Sequence, residues 1–198
     1  MIKIGIFILP NKKFKKIIIK NKKDVKKYFG HQKYVDHPPH CTLCVLNVSK
    51  NILNDKTLKK KIYIKRKINF KIKNTGVFLN DPITNGDTIF FKIHKNKLLT
   101  KLQLNLLKSL KKYRLNKKQY FKKLLMEKNY YKYGYPFVNS NWNPHFTIAS
   151  ISKKKSSKNF IKNFINLNIK IPKQIISKVH FFKINKNSHK LLWSAKVL

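Results

Sequence analysis

Two short segments carry nearly the same text, Pro39-His40-Cys41-Thr42-Leu43 and Pro144-His145-Phe146-Thr147-Ile148. Each reads Pro-His-x-Thr-apolar, opens a mostly apolar run, and lies about half the chain from the other. An imidazole titrates near neutrality, so two of them facing one site can act as general base and general acid. On a strand, residues two apart share a face, which sets Thr42 beside His40 and Thr147 beside His145. Their hydroxyls can donate to phosphate oxygens, with lysines and backbone N–H groups adding charge stabilisation. The chemistry indicated is acid–base attack on a phosphate ester. His40 and His145 are the expected catalytic residues, and Thr42 and Thr147 the expected phosphate-binding residues. By the same alternation Cys44 and Ala149, both small, are expected on that face, leaving room above the strand.

Positioning two such strands needs a repeated framework, and the hydrophobic pattern supplies one. Lys3 to Leu9 reads as a strand stopped by Pro10, and Asn21 to Phe29 as a helix with Val25, Tyr28 and Phe29 on one face, ended by Gly30. The first motif strand runs to Val48. Ser49 is placed to cap a short helix carrying Ile52, Leu53 and Leu58, and Ile62 to Ile72 alternates as a long strand. The turn-rich stretch Asn74 to Asp87 marks the boundary between halves. Thr88 to Ile93 then reads as a strand, Lys95 to about Tyr113 as a helix, and Tyr120 to Leu125 as an extra helical segment. An aromatic loop, Tyr130 to Trp142, delivers the second motif strand. A helix from Ser156 and closing strands near Ser177 to Ile184 and Lys190 to Val197 complete the order. Each half therefore reads strand, helix, motif strand, helix, strand. One domain over 1–198 is expected, with pseudo-repeat halves of about 1–85 and 86–198.

The 198 residues include 47 Lys and Arg against 6 Asp and Glu, a formal charge of +41. Such a field attracts polyanions and makes their binding salt-dependent. Abundant lysine, asparagine and isoleucine also looks like the imprint of an AT-rich genome, so charge supports an anionic substrate without naming one. With 42% hydrophobic residues the chain can bury a core, which argues against disorder. The apolar stretch Ile4 to Leu9 is too short for a signal peptide, and no run approaches the roughly 20 residues that span a bilayer. A soluble, cytoplasmic monomer is the expectation. Cys41 and Cys44 form a Cys-x-x-Cys, but on a strand residues three apart point to opposite faces and no second pair completes a four-sulfur site. They read as buried structural thiols.

The doubled motif resembles the two-histidine (2H) phosphoesterase superfamily, which includes 2′,5′-RNA-ligase-like cyclic phosphodiesterases. His40-Cys41-Thr42-Leu43 and His145-Phe146-Thr147-Ile148 match its His-x-(Thr/Ser)-apolar pattern, and the strand–helix order and Trp193 in the last strand also fit. The resemblance implies a bilobal α+β fold related by a pseudo-two-fold axis, with two antiparallel sheets lining a central cleft and helices outside. It further implies metal-free opening of a 2′,3′-cyclic phosphate or 2′,5′-linked phosphodiester of RNA ends or small nucleotides, with no cofactor. One histidine would activate water and the other would protonate the departing ribose oxygen, in either order.

Tyr133, Tyr135, Phe137 and Trp142 precede the second motif and are candidates for stacking a base at the cleft rim or, equally, for packing the loop itself. His31 and His37, near His40 in sequence, read as exposed loop residues ahead of the alternative that they fix its loop or contact substrate, and His94, His180 and His189 read as solvent-facing. Two rivals keep the fold. One is a non-catalytic RNA-binding protein; the other is an enzyme acting on a phosphodiester metabolite outside RNA.

Overall fold

A computed structural model describes residues 1–55, 58, 67–121, 123–152, 157–185 and 188–196. Residues 62–66 of the expected long strand, Ser156 and Val197 lie outside the described residues. The architecture is α+β, with strands β1 Ile2–Ile8, β2 Cys41–Val48, β3 Ile68–Phe70, β4 Ile72–Phe78, β5 Asp87–Ile93, β6 His145–Ile151, β7 Gln174–Ile176, β8 Lys178–Ile184 and β9 His189–Lys196. Helices among the described residues are α1 Lys12–Phe29, α2 Lys97–Ser109, α3 Leu124–Tyr133 and α4 Ser157–Ile165. None is long and apolar enough to cross a membrane.

Helix α1 starts nine residues earlier than its apolar pattern indicated. The Asn11 side chain accepts from the Phe14 N–H at 2.9 Å and so caps the first turn. Phe14, Ile18, Lys22 and Val25 then form the buried stripe, and Gly30 ends the helix at φ 68°. The β-branched run Ile17-Ile18-Ile19 hid this continuity, and Tyr28, expected inward, is exposed. Two other boundaries moved. β4 runs through Gly76 into the stretch read as turn, and Tyr130 and Tyr131 belong to α3 rather than to a loop. The short helix after Ser49 is a 3-10 turn over Lys50–Leu53, with no cap bond from Ser49.

All strand pairings among the described residues are antiparallel. One sheet has the order β2-β1-β8-β9, a second β4-β5-β6, and β3 pairs β7 in a small third ribbon. The sheets do not follow the chain order. β4 pairs with β5, while β8 and β9 return to pair beside β1. The helices cross over as well. Phe14 of α1 meets Phe91 and Phe146 of the β4-β5-β6 sheet edge-on, at 5.4 and 5.2 Å. Gln103 of α2 reaches β2 of the other sheet. A single buried cluster accordingly takes side chains from both sheets and from α1, α2 and α4.

Candidate active site

Each motif histidine stands at the mouth of its strand and makes the same bond. His40 Nδ1 lies 2.7 Å from the Pro38 carbonyl, and His145 Nδ1 2.7 Å from the Asn143 carbonyl, two residues back in both cases. A carbonyl can only accept, so Nδ1 carries the hydrogen and Nε2 of the neutral ring keeps its lone pair free. Both rings are half-buried, as are Thr42 and Thr147.

The strand beside each motif supports its ring in the same way. Phe7 of β1 pairs with Thr42, and Phe90 of β5 pairs with Thr147. The Phe7 ring lies 4.2 Å from His40, and the Phe90 ring 4.9 Å from His145. Phe182 of β8 backs Phe7 at 5.4 Å, and Phe78 of β4 backs Phe90 at 4.3 Å. Glycines make room for both rings. A Cβ on Gly76 would meet the Phe90 ring at 2.8 Å, and one on Gly5 would collide with Phe7 and lie 2.8 Å from Ile184 Cδ1. The described site thus has internal two-fold similarity, with β2, β1 and β8 matching β6, β5 and β4.

Both ladders slip at the same place. The register jumps between Ile6 and Phe7 and again between Ile89 and Phe90, leaving Leu43 and Ile148 as the extra residues of two bulges. A bulge breaks the alternation of faces, which corrects two expectations. Cys44 pairs with Ile6 and Ala149 with Ile89, so they point into the core, opposite to Thr42 and Thr147. Cys41 pairs with Ile8, on the same face as Ile6, so the two thiols are not splayed apart but share the core face. Both are free and fully buried, and burial pushes the Cys41 thiol up to about 12 and Cys44 up as well.

The bulge carbonyls receive donors from the crossed-over helices. Gln103 Nε2 of α2 donates to Leu43 O at 2.8 Å and to Phe137 O at 2.9 Å. Lys22 Nζ of α1 donates to Ile148 O at 2.8 Å and to Tyr34 O at 2.5 Å. Each helix therefore ties the motif strand of the other half to the loop behind its own. Sequence reading missed both residues. Their signal was a polar side chain at an apolar position of a helical stripe, hidden for Lys22 by a lysine-rich background.

The two motif strands also touch directly. Trp142 Nε1 donates to Thr42 O at 3.2 Å, and the His145 backbone N–H lies at the Cys41 thiol. Trp142 is only 3% exposed, so it braces the first motif rather than offering a ring to a base. Tyr135 is half-buried and packs on the core against Phe137, ring to ring at 5.6 Å, and burial raises its pKa. Tyr133 and Phe137 are half-buried and pack on the core.

The two imidazoles differ in surroundings. Burial pushes His40 down to about 4; the Pro38 bond opposes this, and His189, His37 and Lys22 add to it. His189, read as solvent-facing, in fact stands 5.9 Å from His40, with His37 5.3 Å beyond it. Burial also lowers the pKa of His145, but the Asn143 bond and the Asp81 charge oppose it. Phe78 completes that side at 5.2 Å.

No known family profile matches the sequence, and comparison with curated proteins finds no match either. Solved structures do match, over nearly the whole chain. TT0787 of Thermus thermophilus is 13% identical at a TM-score of 0.64, covering 98% of this chain and 97% of its own. A protein described as a phosphoesterase is 12% identical at a TM-score of 0.54, covering 99% of each chain. E. coli LigT, complexed with phosphate, is 10% identical at a TM-score of 0.52, covering 98% of this chain and 96% of its own. The chain therefore shares the fold of TT0787, of this phosphoesterase and of LigT.

Proposed function

We propose that the protein is a metal-free phosphodiesterase acting on a 2′,3′-cyclic phosphate or 2′,5′-linked phosphodiester of RNA ends or small nucleotides. The observation that carries this is the duplicated unit itself: a ring fixed through Nδ1, a free Nε2, a threonine on the same face, and an aromatic support held by a glycine. Duplicated placement supports two proton-transfer groups of opposite role on one phosphate.

In this reading Thr42 and Thr147 donate to the non-bridging oxygens. One histidine takes a proton from water as its oxygen attacks phosphorus. The P–O bond to a ribose oxygen breaks, and the other histidine gives its proton to that oxygen. A cyclic diester and water thus become a phosphomonoester and a free hydroxyl. His40, among groups that disfavour its cation, suits the base; His145, under the field of Asp81, suits the acid. LigT, which shares the fold, is complexed with phosphate in one structure and with 3′-AMP in another, in keeping with a nucleotide phosphate as ligand. The charge of +41 favours a polyanion over a neutral ester.

The test is hydrolysis of a nucleoside 2′,3′-cyclic phosphate by His40→Ala and His145→Ala, with folding followed by circular dichroism. Each substitution is expected to lower kcat by at least about a hundredfold while the spectrum is kept. Full activity in both variants would show that the motifs are not the catalytic groups, and RNA binding that fades with salt yet ignores both substitutions would favour the non-catalytic rival.

A further inference from the structure

The duplication fails on one side of the site. Among the described residues, edge strand β9 extends only the β2-β1-β8 side, and the β4-β5-β6 sheet has no counterpart. Where His145 meets Phe78 and Phe90, His40 meets Phe7 and a row of further imidazoles. His189 opens β9 opposite Ile184, on the face that β8 shares with Phe182, which backs the Phe7 ring. Its ring lies 5.7 Å from Phe7, 5.9 Å from His40 and 5.3 Å from His37. His37 is held from the loop side by Tyr34, at 5.4 Å.

Resting on the phosphodiesterase reading, we infer that His37 and His189 form a second phosphate subsite beside His40, taking the phosphate next to the reacting one along a nucleotide chain. His37 is exposed and His189 half-buried, and among the described residues neither ring is engaged in a hydrogen bond. Their N–H groups remain available to a ligand. Among those residues neither ring is ion-paired with a carboxylate: Asp36, whose charge reaches His37, is held by Lys26 at 3.2 Å and His31 at 3.0 Å. Metal is a poor alternative occupant, because no group of three or more His, Cys, Asp or Glu among the described residues is placed to hold an ion. An anion whose oxygens accept from two imidazoles fits, and Lys22 adds positive field to His37 and His40. Because the row continues from His40 and not from His145, the subsite gives the substrate a direction and favours a chain, or a nucleotide with a second phosphate, over a bare cyclic mononucleotide.

Titration calorimetry on the intact protein with adenosine 3′,5′-bisphosphate and with 3′-AMP tests this without turnover. The wild type is expected to bind the bisphosphate about tenfold more tightly, with the ring Cε1–H resonances of His37 and His189 moved by the bisphosphate and not by 3′-AMP. In the His37→Ala/His189→Ala double variant the advantage should fall to within about twofold, with 3′-AMP affinity kept. If that variant does not fold, His37→Ala alone, at an exposed site, must lose most of the advantage. Equal wild-type affinities, an advantage surviving in the folded variant, or unmoved resonances each overturn the subsite. Hydrolysis of 2′,3′-cyclic AMP by the wild type is read in parallel; its absence counts against the phosphodiesterase reading alone.

Discussion

At the scale of single residues, a shared hydrogen bond and unshared neighbours together define the two histidines. The bonds to Pro38 O and Asn143 O fix the same tautomer and turn the same nitrogen outward. Burial then lowers both pKa values, so near pH 7 the neutral rings dominate. General acid catalysis needs one of them protonated, and that fraction shrinks as pH rises. Toward pH 4 the base is lost instead, as His40 takes up a proton. The profile of kcat/KM against pH is therefore expected to peak below about 6.5, the ordinary imidazole value. A plateau reaching pH 8 would contradict the buried setting of the acid.

At the scale of elements, two bulges and two glycines aim the groups. The extra residue in β2 and in β6 turns Thr42 and Thr147 toward the histidines' supports while sending Cys44 and Ala149 to the core. Phe90 holds His145 only because Gly76 leaves space beneath it. Gly76→Ala would drive a methyl into that ring, which must move off the histidine or strain the sheet. Overpacking of this kind costs about 1–3 kcal/mol. The expected outcome is a thermal melt lowered accordingly and a fall in kcat larger than any change in KM. A variant that melts lower yet keeps kcat would show that Phe90 does not position His145.

At the scale of the whole molecule, the halves hold each other. α1 lies under β5 and β6, α2 reaches β2, β4 joins the second sheet, and β8 and β9 join the first. Lys22 is the polar tie in this exchange. Burial depresses it from 10.5 to about 8, with Asp36 acting the other way. A neutral amine keeps two N–H donors, which matches its two carbonyl acceptors. Between pH 8 and 10.5 the unfolded chain binds a proton that the folded chain does not, so this residue makes stability rise with pH across that window. The full effect is about 3 kcal/mol. Urea unfolding of wild type and Lys22→Met at pH 7 and pH 10 should show the wild type gaining by that order relative to the variant. Parallel stabilities would mean that the amine does not titrate in the fold. The variant should also be less stable at both pH values, because it leaves the Ile148 and Tyr34 carbonyls without a donor.

The amino-acid sequence alone determined the local quantities. His40, Thr42, His145 and Thr147 stood out because a motif is a contiguous string, and β1, β2, β5, β6 and most of α2 followed from periods of two and 3.6 residues. Helix ends were legible where a capping chemistry marked them, as at Gly30, and not where an apolar β-branched run masked continuity, as in α1. The tertiary structure decided which segments became neighbours. Several strands carry similar alternation, so the pattern does not say that β4 pairs with β5 or that β8 returns to β1. Bulges arise from register between distant strands, and one slipped residue reversed the facing of Cys44 and Ala149. His189 and Lys22 gained their settings the same way, from segments that meet only after the halves have exchanged elements. The paired motif belongs to the chain as a string; the shape and asymmetry of the site around it belong to long-range pairing, which local periodicity does not encode.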